Sequence, residues 1–127
     1  MVARPRGAVL KIRPQQLAAF AASRREMFLR QLQRHMRQHW PDECARRDDE
    51  LLAAFVEEVV ARATDHGFRS EVDVARYLNL AVALGLGFDR DPRYPWARAL
   101  IDDDGIAPGR KMDRMCELAA EALAERT

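Results

Sequence analysis

The stretch LLAAFVEEVVARATDHGFRSEVDVARYLNLAVAL, residues 51–84, decides the fold because it contains two apolar helical patterns separated by a stop signal and a start signal. Apolar residues recur every three to four positions, which is the period of one helical face. Gly67 can adopt the left-handed conformation that ends a helix, and Phe68 then packs back on the last turn. Ser70 is a typical N-cap, followed by acids. The stretch predicts two joined helices, the second being the most buried because it is apolar nearly all round after Tyr77.

Proline and glycine mark further helix boundaries on both sides of this stretch. Pro14 suits the first turn of a long helix, which Pro41 stops. A short helical turn is expected at 42–46. The predicted helices start at Pro14, at Asp48 or Asp49, after Ser70, at Pro95 and at Pro108 or Gly109.

These elements predict an all-α fold, a compact bundle of about five helices. The bundle is one domain, residues 14–127, and a basic irregular arm, residues 1–13, precedes it. The predicted core consists of apolar residues on the inner helical faces: Leu17, Phe20, Phe28, Leu32, Leu52, Phe55, Val56, Val59, Val74, Leu78, Val82, Met115 and Ala119.

Charge is unevenly distributed although the net charge is only +1. Residues 1–41 contain nine of the 21 basic residues and one of the 20 acidic residues, so they carry about +8 and the remainder about −7. The two parts either face each other or solvate two faces of the domain. Alternatively, the basic surface meets an acidic partner or nucleic acid, or the two ends of different copies associate.

Composition indicates a soluble globular chain. With 48% hydrophobic and 32% charged residues, it has enough apolar material for a core. The N-terminus has no apolar run long enough for a signal peptide, and no window approaches a membrane span. We therefore expect a cytoplasmic protein without membrane contact, in which Cys44 and Cys116 stay reduced. The alternative is a disulfide between the two cysteines.

Catalytic and metal-binding motifs are weak. His35 and His39 share a helical face near Cys44, but no fourth ligand is placed, which favours a structural or surface role for these histidines. The acids of 102–104 and of the 89–91 segment lack the spacing of a calcium loop. No serine–histidine–acid set is visible. We expect no enzyme and no cofactor.

The basic first helix makes a nucleic-acid-binding regulator the alternative function. Its arginines are spread over several turns, and the helix is too long for a helix-turn-helix. We rank this function below protein binding.

The loop from Phe88 to Trp96 is dense in aromatic and charged residues. Its aromatic residues can plug one end of the bundle while its acids cap helices or pair with arginines. Alternatively, it is a binding edge, since Tyr, Trp and Arg are frequent interface anchors. The candidate contact residues are Arg90, Asp91, Arg93, Tyr94 and Trp96, together with Arg30, Arg34 and Arg37 of the first helix.

Short motifs over about residues 9–120 resemble a group of small bacterial proteins encoded among type VI secretion and polymorphic-toxin genes. The resemblance implies an immunity protein that binds a toxin, or an adaptor that helps to load an effector, with a protein partner encoded nearby. It transfers no catalytic residues. The motifs are LKIRPQQL (10–17), HWP (39–41) before Cys44, HGF (66–68), Ser70-Glu71, Asp73-Val74, Arg76-Tyr77, Leu84-Gly85, FDRDP (88–92) and Pro95-Trp96.

Overall fold

The computed structural model describes residues 13–126, which form six α-helices and no β-strand. The all-α prediction is confirmed, and five of the helices have seven residues or more. The predicted arm lies outside the described residues except for Arg13. The helices are α1 (Pro14–His39), α2 (Pro41–Ala45), α3 (Asp49–Asp65), α4 (Glu71–Leu84), α5 (Pro95–Ile101) and α6 (Pro108–Glu125), and a short 3-10 turn covers Phe88–Arg90.

Local capping interactions set the helix boundaries. The Asp48 carboxylate accepts a hydrogen bond of 2.8 Å from a first-turn backbone N–H of α3. The Ser70 hydroxyl accepts a hydrogen bond of 3.1 Å from a first-turn backbone N–H of α4. Gly67 follows α3 with φ +92°, as expected for a helix terminator. The remaining helices begin at prolines: Pro14, Pro41, Pro95 and Pro108.

Helix α4 lies at the centre of the bundle and packs against α3 and α6. Its Tyr77 is fully buried. The Tyr77 ring lies 5.9 Å from the Phe68 ring and 5.0 Å from the Phe88 ring, measured between centroids. These three rings form the centre of the core, and they hold the 3-10 turn against α4.

Most of the predicted core is confirmed, but the prediction that Leu17 and Phe20 belong to it is wrong. Their exposed fractions are 55% and 66%. These residues are exposed because α1 extends past the start of α4. Helix α4 begins at the level of Arg24, whose guanidinium lies 3.7 Å from the carboxylate of Glu71. Eight predicted residues are buried, namely Leu32, Leu52, Val56, Val59, Val74, Leu78, Met115 and Ala119, and three pack against the core while partly buried, namely Phe28, Phe55 and Val82.

Within residues 13–126, no helix combines the length and the apolar character required to cross a bilayer.

Candidate functional site

The first four turns of α1, residues 14–27, extend beyond the bundle, and every residue in them is exposed. We call this segment the α1 extension. It contains three large apolar side chains, Leu17, Phe20 and Met27, with exposed fractions of 55%, 66% and 59%. Their spacing of three and seven residues places them on one side of the helix. The extension therefore presents an apolar strip that no described part of the chain covers.

A shallow groove of about 440 Å³ lies between this strip and the start of α4. Phe20, Met27 and Phe28 form its apolar floor. Arg24 and Glu71 line it as well, and their side chains form the 3.7 Å ion pair. The groove is open, so a side chain of another protein could enter it.

The three predicted arginines of α1 follow the extension on one exposed side of the helix. Arg30 pairs with Glu26 at 3.4 Å and Arg37 pairs with Asp49 at 2.9 Å. Arg34 makes no ion pair with any residue in the described range. Two of the three positive charges are thus already compensated within the chain.

The 88–96 loop packs on α4 and α5, whereas α1 packs mainly on α2 and α3. Among the described residues, no hydrogen bond, ion pair or ring contact joins the loop to the α1 arginines. The structure therefore does not bring the two parts of the predicted contact surface together as one patch.

Within the loop, the two arginines point outward. Arg90 and Arg93 are exposed. The Arg93 guanidinium donates a hydrogen bond of 2.8 Å to the Asp91 carboxylate, whose second oxygen accepts from the Arg93 backbone N–H at 2.9 Å. These hydrogen bonds, the side-chain ones first, lower the pKa of Asp91.

Tyr94, a candidate contact residue, is only 3% exposed, which corrects its place among the contact residues and agrees with the alternative that the loop's aromatic residues plug one end of the bundle. Its ring lies 5.8 Å from that of Trp96, which is partly buried. The guanidinium groups of Arg93 and Arg126 lie 5.3 Å and 5.4 Å from its centroid. Tyr94 therefore belongs to the packing of this end of the bundle.

A polar cluster lies under the loop, and its ion pair agrees with the expected pairing of the loop's acids with arginines, whereas its histidine was not predicted from the sequence. The Asp89 side chain is 3% exposed, and one of its oxygens accepts a hydrogen bond of 2.7 Å from His66 Nε2. The other oxygen lies 3.7 Å from the Arg62 guanidinium and has no hydrogen bond. Arg62 also donates to the carbonyl of Leu86 at 3.3 Å. The cluster fastens the loop to the end of α3.

The pKa of Arg62 is raised, chiefly by its hydrogen bond to Glu58. A depression of about 280 Å³ lies beside the cluster, and the residues that line it include no serine, threonine or cysteine. His66 and Asp89 form a histidine–carboxylate pair at this depression, and its lining offers no hydroxyl or thiol group for that pair to activate. Its lining is Glu58, Arg62, Asp65, His66, Asp89 and Arg90.

The histidines considered as metal ligands have other contacts. His35 Nε2 lies 2.9 Å from the Asn79 side-chain oxygen, which also accepts a hydrogen bond of 3.1 Å from the indole N–H of Trp40. The rings of His35 and His39 lie 4.5 Å apart. Among the described residues, no group of three or more His, Cys, Asp or Glu side chains could hold a metal ion. Both cysteines are free and half-buried.

No protein-family model matches the chain, and no curated protein or solved structure is significantly similar to it.

Proposed function

We propose that this chain is a non-catalytic, protein-binding accessory domain whose binding face is the α1 extension. The observation that carries the proposal is the exposure of Leu17, Phe20 and Met27 on a helix that is otherwise part of the bundle. Burial of apolar surface stabilises an interface by roughly 25 cal/mol per Å². A helical segment of this length is marginal in water by itself, so a partner that packs on it also stabilises it.

The chemistry of the face indicates an acidic partner with apolar anchors. Arg24 lies within the strip, where its side chain is 82% exposed although it pairs with Glu71, and Glu26 is the one acid of the extension. Aromatic and arginine side chains together are typical of interface hot spots. In line with the sequence resemblance, we propose that the partner is a toxin or an effector, and that this chain acts as an immunity protein or an adaptor.

The test starts with the tagged protein in a lysate of the source organism at moderate salt, followed by mass spectrometry of the bound protein. The identified partner is then purified, and its affinity is measured for Phe20→Ser and for the matched control Leu51→Ser. Leu51 is 56% exposed but lies in the first turn of α3, two residues after Asp49, which pairs with Arg37 near the C-terminal end of α1. We expect Phe20→Ser to weaken binding roughly tenfold or more, and Leu51→Ser to leave it unchanged.

The loop provides the competing surface. If Arg90→Ala with Arg93→Ala weakens binding and Phe20→Ser does not, the α1 extension is not the binding face. If the partner is a toxin, co-expression with this chain restores growth for an immunity protein, whereas an adaptor leaves the toxin active.

Nucleic-acid binding is the second candidate, because Arg34 is an exposed and uncompensated charge in a row of arginines. Phosphate contacts release counterions, so such binding falls steeply with salt. Two results together would favour this function over protein binding. Nucleic acid should dissociate from the tagged protein as the salt concentration rises, and the Arg34→Gln variant should no longer bind it.

A further inference from the structure

We infer that two copies of this chain pair through their α1 extensions, which lie side by side in opposite directions about a two-fold axis near Ala22. The inference rests on the proposed role of the α1 extension as a binding face, and it names what covers that face when no other protein is present. A two-fold contact joins the same surface of both copies, and it is the commonest symmetry of soluble homo-oligomers.

The exposed side of the α1 extension has the spacing of a coiled-coil seam. Leu17, Phe20, Arg24 and Met27 are separated by three, four and three residues. This spacing is the a and d pattern of two helices that pack along their length. The groove of about 440 Å³ beside Phe20 and Met27 is open, so a second helix has room to lie along the seam.

The seam is complementary to its own reverse. Leu17 and Met27 lie five residues before and five residues after Ala22, and Phe20 and Arg24 lie two residues before and after it. In an antiparallel pair centred on Ala22, Leu17 of one copy therefore faces Met27 of the other, and Phe20 faces Arg24. Each of the two different layers then occurs twice, once on either side of the axis.

The charge of Arg24 favours this direction and this centre. Its guanidinium lies 3.7 Å from the Glu71 carboxylate, so the charge is already compensated when the second helix covers it. A guanidinium over an aromatic ring is a favourable contact, and the antiparallel pair sets Arg24 over Phe20 of the second copy. A parallel pair would instead set Arg24 against Arg24, where like charges repel.

Neighbouring registers are disfavoured by arginines of the same helix. A shift of one heptad in one direction sets Arg13 opposite Arg24, and a shift in the other direction sets Arg34 opposite Leu17. The first shift opposes two positive charges, and the second places a charge against an apolar side chain. The centre at Ala22 avoids both contacts.

The area available is sufficient for a weak dimer. A large aromatic side chain covers roughly 150–250 Å² when it is buried. The three apolar seam residues are 55%, 66% and 59% exposed, so the six of a pair supply on the order of 600 Å² of apolar surface. Polar atoms beside the seam bring the total towards about 1,200 Å², where the range of stable interfaces begins. We therefore expect a reversible dimer with a micromolar Kd.

The first experiment is sedimentation velocity on the purified full chain over a range of concentrations. The wild type should rise from 14.5 kDa towards twice that mass and no further. Phe20→Ser should remain monomeric, while Leu51→Ser, at an exposed position on α3, should behave as wild type. Circular dichroism of each variant verifies folding.

The decisive comparison is Arg24→Leu with Arg25→Leu. Arg24→Leu makes the seam apolar throughout, so it should tighten the dimer roughly tenfold. Arg25 is exposed as well, but it lies about 100° around the helix from Arg24 and outside the seam. Arg25→Leu should therefore leave the Kd of the dimer unchanged. A general increase in stickiness would tighten association of both variants equally.

Cysteine cross-linking tests the direction of the helices. A mixture of Leu17→Cys and Met27→Cys chains should form a disulfide-linked dimer on oxidation. Leu17→Cys alone should not, because its two copies are about 15 Å apart along the antiparallel pair, beyond the reach of a disulfide. The wild type, with half-buried Cys44 and Cys116, gives the background.

Four results would each overturn the inference: a wild type that stays monomeric, growth beyond the dimer, equal behaviour of Arg24→Leu and Arg25→Leu, or cross-linking of Leu17→Cys alone. None of them changes whether Phe20→Ser weakens the binding of the partner identified by pull-down. The two proposals therefore fail separately.

Discussion

Asp89 shows how a single residue can hold a loop in place. Its carboxylate is almost completely buried between His66 and Arg62, and it comes directly after the buried ring of Phe88. A buried carboxylate is tolerated only where partners compensate its lost hydration. The sequence separates Asp89 from His66 by 23 residues, so no local pattern could reveal this pair.

We expect Asp89→Asn to lower the free energy of unfolding by about 1–3 kcal/mol, because hydrogen bonds to a charged, buried group are among the stronger ones. Urea denaturation measures this change. The matched control is Asp91→Asn, two residues further on, whose exposed pair with Arg93 should contribute much less. If the two variants lost equal amounts of unfolding free energy, the buried cluster would not be what holds the loop.

Tyr77 provides a pH-dependent contribution to stability. Its pKa is raised, first by burial and then by the nearby charge of Asp89. The folded state therefore keeps the Tyr77 proton at pH values where the unfolded chain, with a tyrosine pKa of about 10, has lost it. The stability that depends on this proton is complete below pH 10 and is lost as the pH rises towards the folded pKa.

Tyr77→Phe tests this contribution. The Tyr77 hydroxyl is buried, and within the described chain it neither accepts nor donates a hydrogen bond. At neutral pH we expect the variant to be at least as stable as wild type, with a gain of up to about 1–2 kcal/mol. Above pH 10, its stability should decline less than that of wild type. A clear loss at neutral pH in urea denaturation would contradict this interpretation.

At the scale of the element, local signals predicted the helices well. Pro14, Asp48, Ser70 and Pro95 each act within one turn of the boundary that they set, so the sequence next to the boundary is sufficient. The same holds for Gly67, whose positive φ ends α3.

Gly67→Ala should cost about 1 kcal/mol, because an L-residue rarely adopts φ +92°. No atom lies within 4 Å of the added Cβ, so the cost is conformational and not steric. Gly87→Ala is the control, since Gly87 has φ −91° and equally open surroundings. That substitution should be neutral or slightly stabilising. Thermal unfolding of both variants measures the difference. A Gly67→Ala protein as stable as wild type would contradict the predicted conformational cost.

The burial of α1 could not be predicted in the same way. Periodicity indicates which side of a helix is apolar, but not where the neighbouring helices end. Leu32 and Leu17 have the same chemistry on one helix, yet the first is 2% exposed and the second 55%. Only the start of α4 beside Arg24 separates the two environments.

At the scale of the whole molecule, the exposure of the candidate contact residues could be predicted only in part. The α1 arginines lie at the surface as a basic helix requires, whereas Tyr94 became part of the packing. The loop and α1 belong to different groups of contacting helices, and that arrangement follows from the tertiary packing alone.

Because the α1 extension lies outside the core, its evolution is separated from that of the fold. Residues such as Leu17, Phe20 and Met27 are free of packing constraints within the described chain, so substitutions there leave the folded state nearly unchanged. If this segment binds a partner as proposed, selection can alter which partner is recognised, one side chain at a time, without first finding a compensating change in the bundle. A lineage that faces changing partners can keep the same scaffold and renew only its first four helical turns.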